Sequence, residues 1–142
     1  MNETSLISSY ADFLESLNKD NVRDLRRHVS PDVFFSDPFN KVLGADKMLH
    51  IFEDMYATLG DVHFEILHQA TEDQTGFLHW RLSATLRGRP WEVEGVSHLT
   101  FNTAGKVVSH IDHWDAARDF YEHFPVVGWI LRAIRKNLTV KV

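Results

Sequence analysis

Six consecutive residues, His110-Ile111-Asp112-His113-Trp114-Asp115, bring two imidazoles and two carboxylates into one short stretch. These groups can accept and return protons when their surroundings tune them, so the stretch is a candidate for acid/base chemistry. It follows Phe101-Asn102-Thr103-Ala104-Gly105-Lys106, a turn in which Gly105 can supply the positive φ that a hairpin needs. From Lys106 onward the chain reads as a strand, so His110, Asp112 and Trp114 share one face and Ser109, Ile111 and His113 the other. If the first set faces inward, a carboxylate and an imidazole are buried beside an indole. Such groups must be paired, shifted in pKa or placed in a pocket. The plainer reading is that they pair with Trp114, Arg81 or the backbone and merely hold the strand. Asp37, in Ser36-Asp37-Pro38, is the other acid/base candidate, although Asp-Pro also commonly starts a turn.

The elements that would position these groups follow from periodicity. Thr4 or Ser5 can cap a first helix whose apolar residues Leu6, Ile7, Tyr10, Phe13, Leu14 and Leu17 recur at helical spacing. Asn18 to Asn21 breaks it. Val22 to His28 reads as a short second helix, stopped by Ser30-Pro31-Asp32, and Val33-Phe34-Phe35 as a short strand. Leu43-Gly44-Ala45-Asp46 opens a third helix running to Leu59, with a stripe of Met48, Phe52, Met55, Tyr56 and Leu59. Strands follow over Val62–Thr71, Phe77–Arg87 and Trp91–Phe101. In the first, Val62, Phe64, Ile66 and Ala70 share a side. In the second, Leu78, Trp80, Leu82, Ala84 and Leu86 are the buried face, and Gly88-Arg89-Pro90 is the turn after it. In the third, Trp91, Val93, Leu99 and Phe101 point inward together with Gly95 and Ser97. Small residues opposite bulky aromatics leave the space that a pocket requires. Three helices and a short strand, then an antiparallel meander, then a helical tail imply an α+β fold with helices on one face of a curved sheet.

This layout resembles the nuclear transport factor 2-like superfamily, a cystatin-like cone, and within it the SnoaL-like polyketide cyclases and the Δ5-3-ketosteroid isomerases. Three segments carry the likeness: Val33-Phe34-Phe35-Ser36-Asp37-Pro38, Glu53-Asp54-Met55-Tyr56-Ala57, and Phe101 to Ser109. The resemblance places Asp37 on the isomerases' general base and Tyr56 on the tyrosine that supports their hydrogen-bond network. It puts Trp80, Ser97, Asp112 and Trp114 on cavity-lining positions, and His110 shares that parity. It also shows two departures. Phe13 stands where the isomerases carry a tyrosine, and Ser97 where they carry a protonated acid. Losing an oxyanion donor of this kind costs on the order of 10²–10³ in rate, so an isomerase of the standard design is not expected.

The expected site is therefore Asp37, His110 and Asp112 for proton transfer, with Phe13, Tyr56, Trp80, Ser97 and Trp114 around a small apolar substrate. Isomerisation, cyclisation, hydration and elimination all use such parts. A non-catalytic binding or protein-interaction module of the same fold is the alternative.

Other chemistries find little support. Nine histidines suggest a metal, but His110 and His113 point to opposite faces, and His63, His79 and His98 lie on the wet parity. Only His68 adds an inward imidazole, near a strand end, so neither metal nor cofactor is expected. No serine sits in a nucleophile elbow. With no cysteine, thiolate chemistry is absent. A net charge of −5 argues against nucleic acid.

The 142 residues fit a single domain, with a cone over 1–115 and a helical extension over 116–142. The first residues lack the order of a signal peptide and no apolar run is long enough to span a bilayer, which makes a cytoplasmic protein the expectation. The extension, Asp115 to His123 and then Val126 to Lys136, is apolar on most sides and basic at its end. It reads as a lid or a homodimer contact, with a peripheral lipid contact as a further option.

Overall fold

The computed structural model describes residues 3–140, and side chains from Ser5 onward. Two helices flank a 3₁₀ turn at the N-terminal end: α1 (Glu3–Ser16), the turn Val22–Arg27, and α2 (Ala45–Thr58). The strands are β1 (Val29–Ser36), β2 (Lys41–Leu43), β3 (Gly60–Glu72), β4 (Thr75–Leu86), β5 (Arg89–Phe101) and β6 (Val107–His113). They form one curved sheet in the order β2-β1-β6-β5-β4-β3. The tail folds as α3 (Ala116–Asp119), a 3₁₀ turn at Tyr121–His123, and α4 (Pro125–Leu138). The fold is thus the expected α+β cone with a C-terminal helical extension.

The core lies between the helices and one face of the sheet. Ile7, Tyr10, Phe13 and Leu14 of α1 and Met48 and Phe52 of α2 are buried against Leu78, Trp80, Leu99 and Val107. Burying such side chains contributes about 1.5–3 kcal/mol each, which holds the helices on the sheet. The outer face stays wet. There Arg81 meets Glu94 at 3.0 Å and Glu65 at 3.4 Å, so it cannot be the partner of His110 or Asp112.

Several local expectations are corrected. Helix α1 is already formed at Glu3, so Thr4 and Ser5 lie inside it and its cap lies outside the described residues. The second helix is a 3₁₀ turn, and the strand after it starts at Val29. Pro31 is tolerated inside β1 because the β1–β6 ladder is interrupted between Val29 and Phe34, where the missing N–H is not needed. Leu43, expected to open the third helix, instead ends a short edge strand, Lys41–Leu43, that pairs with Phe34–Ser36. The β4–β5 turn sits earlier than expected, at Arg87 (φ 54°) and Gly88 (φ 74°), a pair of positive φ values suited to a two-residue hairpin. In β3, a bulge between Ile66 and His68 shifts the parity. Ala70 and His68 therefore face solvent rather than the core, and His68 stacks on His79.

One pairing decides the placement of the site. Strand β1 joins β6 in parallel, with Phe35 beside His110 and Ser36 beside Ile111. This brings the Asp37 turn next to the end of β6, although the two are far apart in sequence.

Candidate active site

The inward face of β6 carries His110 as the sheet alternation requires. His110 is buried, and its ring is enclosed by Tyr10, Phe35 and Phe52. Both ring nitrogens are used. The Tyr10 hydroxyl meets Nδ1 at 2.8 Å, and Nε2 meets Asp112 Oδ1 at 2.8 Å. From the other side Ser97 Oγ donates to the same Asp112 Oδ1 at 2.5 Å and accepts from Trp80 Nε1 at 2.9 Å.

The proton directions are consistent only one way when Asp112 is an acceptor-only carboxylate. Ser97 must donate to Asp112, because Trp80 can only donate to Ser97. A neutral His110 carries its proton on Nε2 and takes a bond from Tyr10 at Nδ1, an assignment made from the network. Burial, and then the charge of Asp112, hold the Tyr10 hydroxyl well above its ordinary pKa, so it remains a donor. Two donor chains, Tyr10–His110 and Trp80–Ser97, thus converge on one oxygen.

Glycine at position 95 permits this geometry. A Cβ there would stand 2.6 Å from the Trp80 ring and 2.9 Å from the His113 carbonyl. The space expected opposite the aromatics is therefore filled by Trp80, whose indole nitrogen is delivered to Ser97.

Asp112 joins this buried chain to the surface. Its side chain is 18% exposed and lines an open depression of about 620 Å³ with Ser36, Asp37, Pro38 and Trp114. Asp37 is held by its own turn: Oδ1 accepts from Phe39 N at 2.8 Å, Asn40 N at 2.7 Å and Asn40 Nδ2 at 3.2 Å. Among the described residues its Oδ2 receives only Asn40 Nδ2, at 3.3 Å. Trp114 forms part of an aromatic rim with Phe39, whose ring centroid is 5.4 Å away, and Trp91, at 6.0 Å.

Of the residues singled out from sequence, Asp37, Asp112 and Trp114 share the depression, while His110, Ser97 and Trp80 stand behind Asp112 in the core. Phe13 is stacked on His28, with ring centroids 4.1 Å apart, and lies away from the depression. Tyr56 is half-buried on α2. Its hydroxyl oxygen is buried without a hydrogen-bond partner among the described residues, and burial pushes its pKa up to about 12.

Sequence reasoning missed Tyr10 and Phe39. Tyr10 was legible only as a helix-stripe residue. Yet it supplies, one turn earlier, the aromatic hydroxyl that Phe13 lacks. Phe39 is adjacent to Asp37-Pro38, and nothing in the sequence pairs it with Trp114. Among the described residues no cluster of three or more His, Asp or Glu side chains is arranged to hold a metal.

A cone of helices on a curved sheet, with ionisable groups at one end, defines a nuclear transport factor 2-like protein. Residues 10–110 match the family model of the SnoaL-like domain, and the chain belongs to that family. No curated protein matches the sequence. Solved structures share the fold at low identity. An LEH-like epoxide hydrolase from M. tuberculosis is 12% identical with a TM-score of 0.71, covering 98% of this chain and 96% of that one. An NTF2-like protein of unknown function from Burkholderia pseudomallei is 14% identical with a TM-score of 0.71, covering 83% and 94%. A protein with a ketosteroid isomerase-like fold from Catenulispora acidiphila, solved in complex with trimethylamine, is 14% identical with a TM-score of 0.67, covering 80% and 88%.

Proposed function

We propose that this protein is a cofactor-free acid/base catalyst acting on a small, largely apolar carbonyl compound bound in the depression between the Asp37 turn and the end of β6. One observation carries the reading. Two carboxylates line the same depression, each anchored mainly through Oδ1, leaving Oδ2 of each outside the strong bonds. Asp37 removes a proton beside the carbonyl. Asp112, when it carries a proton on Oδ2 and keeps Oδ1 as the acceptor of His110 and Ser97, returns one to a neighbouring atom. Solvent then moves the proton left on Asp37 back to that oxygen. The aromatic rim of Trp114 and Phe39 holds the apolar part of the substrate. Solved structures of this fold include one assigned as a SnoaL-like polyketide cyclase and an LEH-like epoxide hydrolase, which supports an enzyme without selecting the reaction.

The test needs no knowledge of the product. Proton abstraction beside a carbonyl appears as hydrogen–deuterium exchange in heavy water, read by NMR across a panel of small ketones and enones. The wild-type chain is expected to exchange at least one of them, and Asp37→Asn and Asp112→Asn each to lower that exchange about 10²-fold or more. Undiminished exchange in both variants overturns the assignment.

A second reading has one observation in its favour. Three of the four bonds to Asp37 fall on Oδ1 and close its own turn, as a purely structural aspartate would. The protein would then bind a ligand without transforming it. Native mass spectrometry showing a retained compound that never exchanges would favour this version.

A further inference from the structure

The helix α4 is mounted with its polar side inward. Arg135 reaches the Glu122 carboxylate at 2.7 Å, Arg132 donates to the Glu122 carbonyl, and Gly128 lies against that same carbonyl. A Cβ at position 128 would fall 2.2 Å from the Glu122 oxygen, so glycine is what lets the helix seat so closely. Glu122 is itself buried, and the Arg135 hydrogen bond holds its carboxyl below the usual range. The ionic side of the helix is thereby consumed in attaching it.

The apolar side is left outside. Val126, Val127, Trp129, Ile130, Ile134 and Leu138 are all exposed, Trp129 by 67% and Leu138 by 77%. At 100° per residue, Val126, Val127, Ile130, Ile134 and Leu138 fall on one side of the helix, interrupted by Asn137 in the last turn, with Trp129 at the edge. An amphipathic helix on a protein surface normally turns this stripe to the core. Here the arrangement is reversed, which marks a face built for something outside the chain.

Charge identifies the occupant. From Pro125 to Val142 the sequence holds two arginines, two lysines and no acidic residue, in a chain whose net charge is −5. A second copy docked through the same face about a two-fold axis would bring two all-basic segments together. With Arg132 and Arg135 engaged at Glu122, the cation that α4 offers outward among the described residues is Lys136. An anionic lipid surface accepts the apolar stripe and this lysine at once, and an exposed tryptophan suits the interfacial zone. Fourteen residues rise only about 21 Å, so the helix can lie in the surface but not cross it. Among the described residues no helix is long and apolar enough to span a membrane.

We propose that α4 is an interfacial helix that docks the protein onto anionic membranes, with its outward apolar stripe in the lipid and Lys136 at the headgroups. The inference is independent of the catalytic reading. The test is co-sedimentation of the full chain with phosphatidylcholine vesicles containing about a third phosphatidylglycerol, against pure phosphatidylcholine. Wild type is expected to pellet with the anionic vesicles, at least about tenfold more strongly than with the neutral ones. The double variant Ile130→Asp, Ile134→Asp is expected to lose at least about tenfold in partition, and Lys136→Glu to weaken binding and flatten its salt dependence. These positions are exposed, and circular dichroism and the thermal midpoint are expected to stay at wild-type values. Wild type remaining in the supernatant overturns the proposal. So does binding that the double variant leaves intact. A solution mass that drops from dimer to monomer in the double variant, with no vesicle binding by wild type, overturns it in favour of a second copy on this face.

Discussion

His110 Nε2 lies 2.8 Å from Asp112 Oδ1 and donates to it because a carboxylate only accepts, while Tyr10, 100 residues away in the chain, bonds the opposite ring nitrogen. The Asp112 carboxylate is therefore oriented from α1, through the imidazole, and from β4, through Ser97 and Trp80. Replacing Asp112 by Asn puts an amide where two donors converge. An amide oxygen in that place can accept from both, whereas Asp112→Ala removes the acceptor and leaves two buried donors unpaired. Asp112→Ala is expected to cost about 1–3 kcal/mol, and Asp112→Asn less, measured as a lower denaturation midpoint with an unchanged slope. An Ala variant as stable as wild type would mean that the donors do not converge there.

Tyr10→Phe separates orientation from packing. The ring remains, so the core volume is nearly preserved, but Nδ1 of His110 loses its partner in a buried site. The expected cost is about 1–3 kcal/mol. The diagnostic readout is the ¹⁵N spectrum of the imidazole. Wild type should show a single neutral tautomer protonated at Nε2, and the variant a mixture or a shift away from it. An unchanged tautomer would show that Asp112 alone orients the ring.

What the sequence made visible and what it hid follow from range. The alternation of β4 and β5 placed Trp80 and Ser97 inward, and the same parity placed His110 and Asp112 there, because period-two burial is a local property. The parallel pairing of β1 with β6 is not local, so the meeting of Asp37 with Asp112 at one depression came only through the family resemblance. The bulge at Ile66–His68 leaves no signature in a run of apolar and polar residues, and it reversed the facing of His68. Tyr10 illustrates the hardest case. A buried aromatic in a helix stripe and a buried hydroxyl donor look identical in sequence until the partner, His110, is known.

The Asp37 turn offers a graded comparison. Asp37→Ala removes an acceptor for two backbone N–H groups and is expected to cost about 0.5–2 kcal/mol, as loss of a capping side chain does. Asp37→Asn keeps an acceptor oxygen in place and is expected to retain most of that stability. A catalytic role shows as a large loss of proton exchange in the Asn variant with the thermal midpoint almost unmoved. Parallel loss of stability and exchange would instead assign Asp37 to the turn alone.

His28 gives the protein an acid-side liability. Burial, reinforced by Lys106 and Arg27, lowers its pKa below the ordinary 6.5, with Asp24 opposing. Above 6.5 the imidazole is neutral in both folded and unfolded chains and contributes nothing to the pH dependence. Below that value the unfolded chain takes up a proton that the folded chain resists. This contribution therefore destabilises progressively as pH falls to the folded pKa, and is constant beneath it. NMR titration should place the His28 midpoint below 6.5, and the stability lost over that interval should shrink in His28→Gln. A midpoint at or above the ordinary value would remove the effect.

Gly95→Ala tests whether Trp80 is a wall or a support. The new Cβ meets the indole ring at 2.6 Å and the His113 carbonyl at 2.9 Å, so either the ring moves or the β5–β6 pairing opens. Overpacking of this kind costs about 1–3 kcal/mol. The informative consequence is directional. Displacing the ring withdraws Nε1 from Ser97 and frees the Ser97 hydroxyl to rotate, which slackens one of the two anchors on Asp112 Oδ1. The indole N–H resonance of Trp80 should move toward the solvent-exposed position and exchange faster, while the Tyr10–His110 arm remains. Trp80→Phe breaks the same bond without crowding, so agreement between the two variants in proton exchange isolates the hydrogen bond from the strain. If Gly95→Ala alone impairs exchange, the effect belongs to strand pairing and the indole serves only as packing.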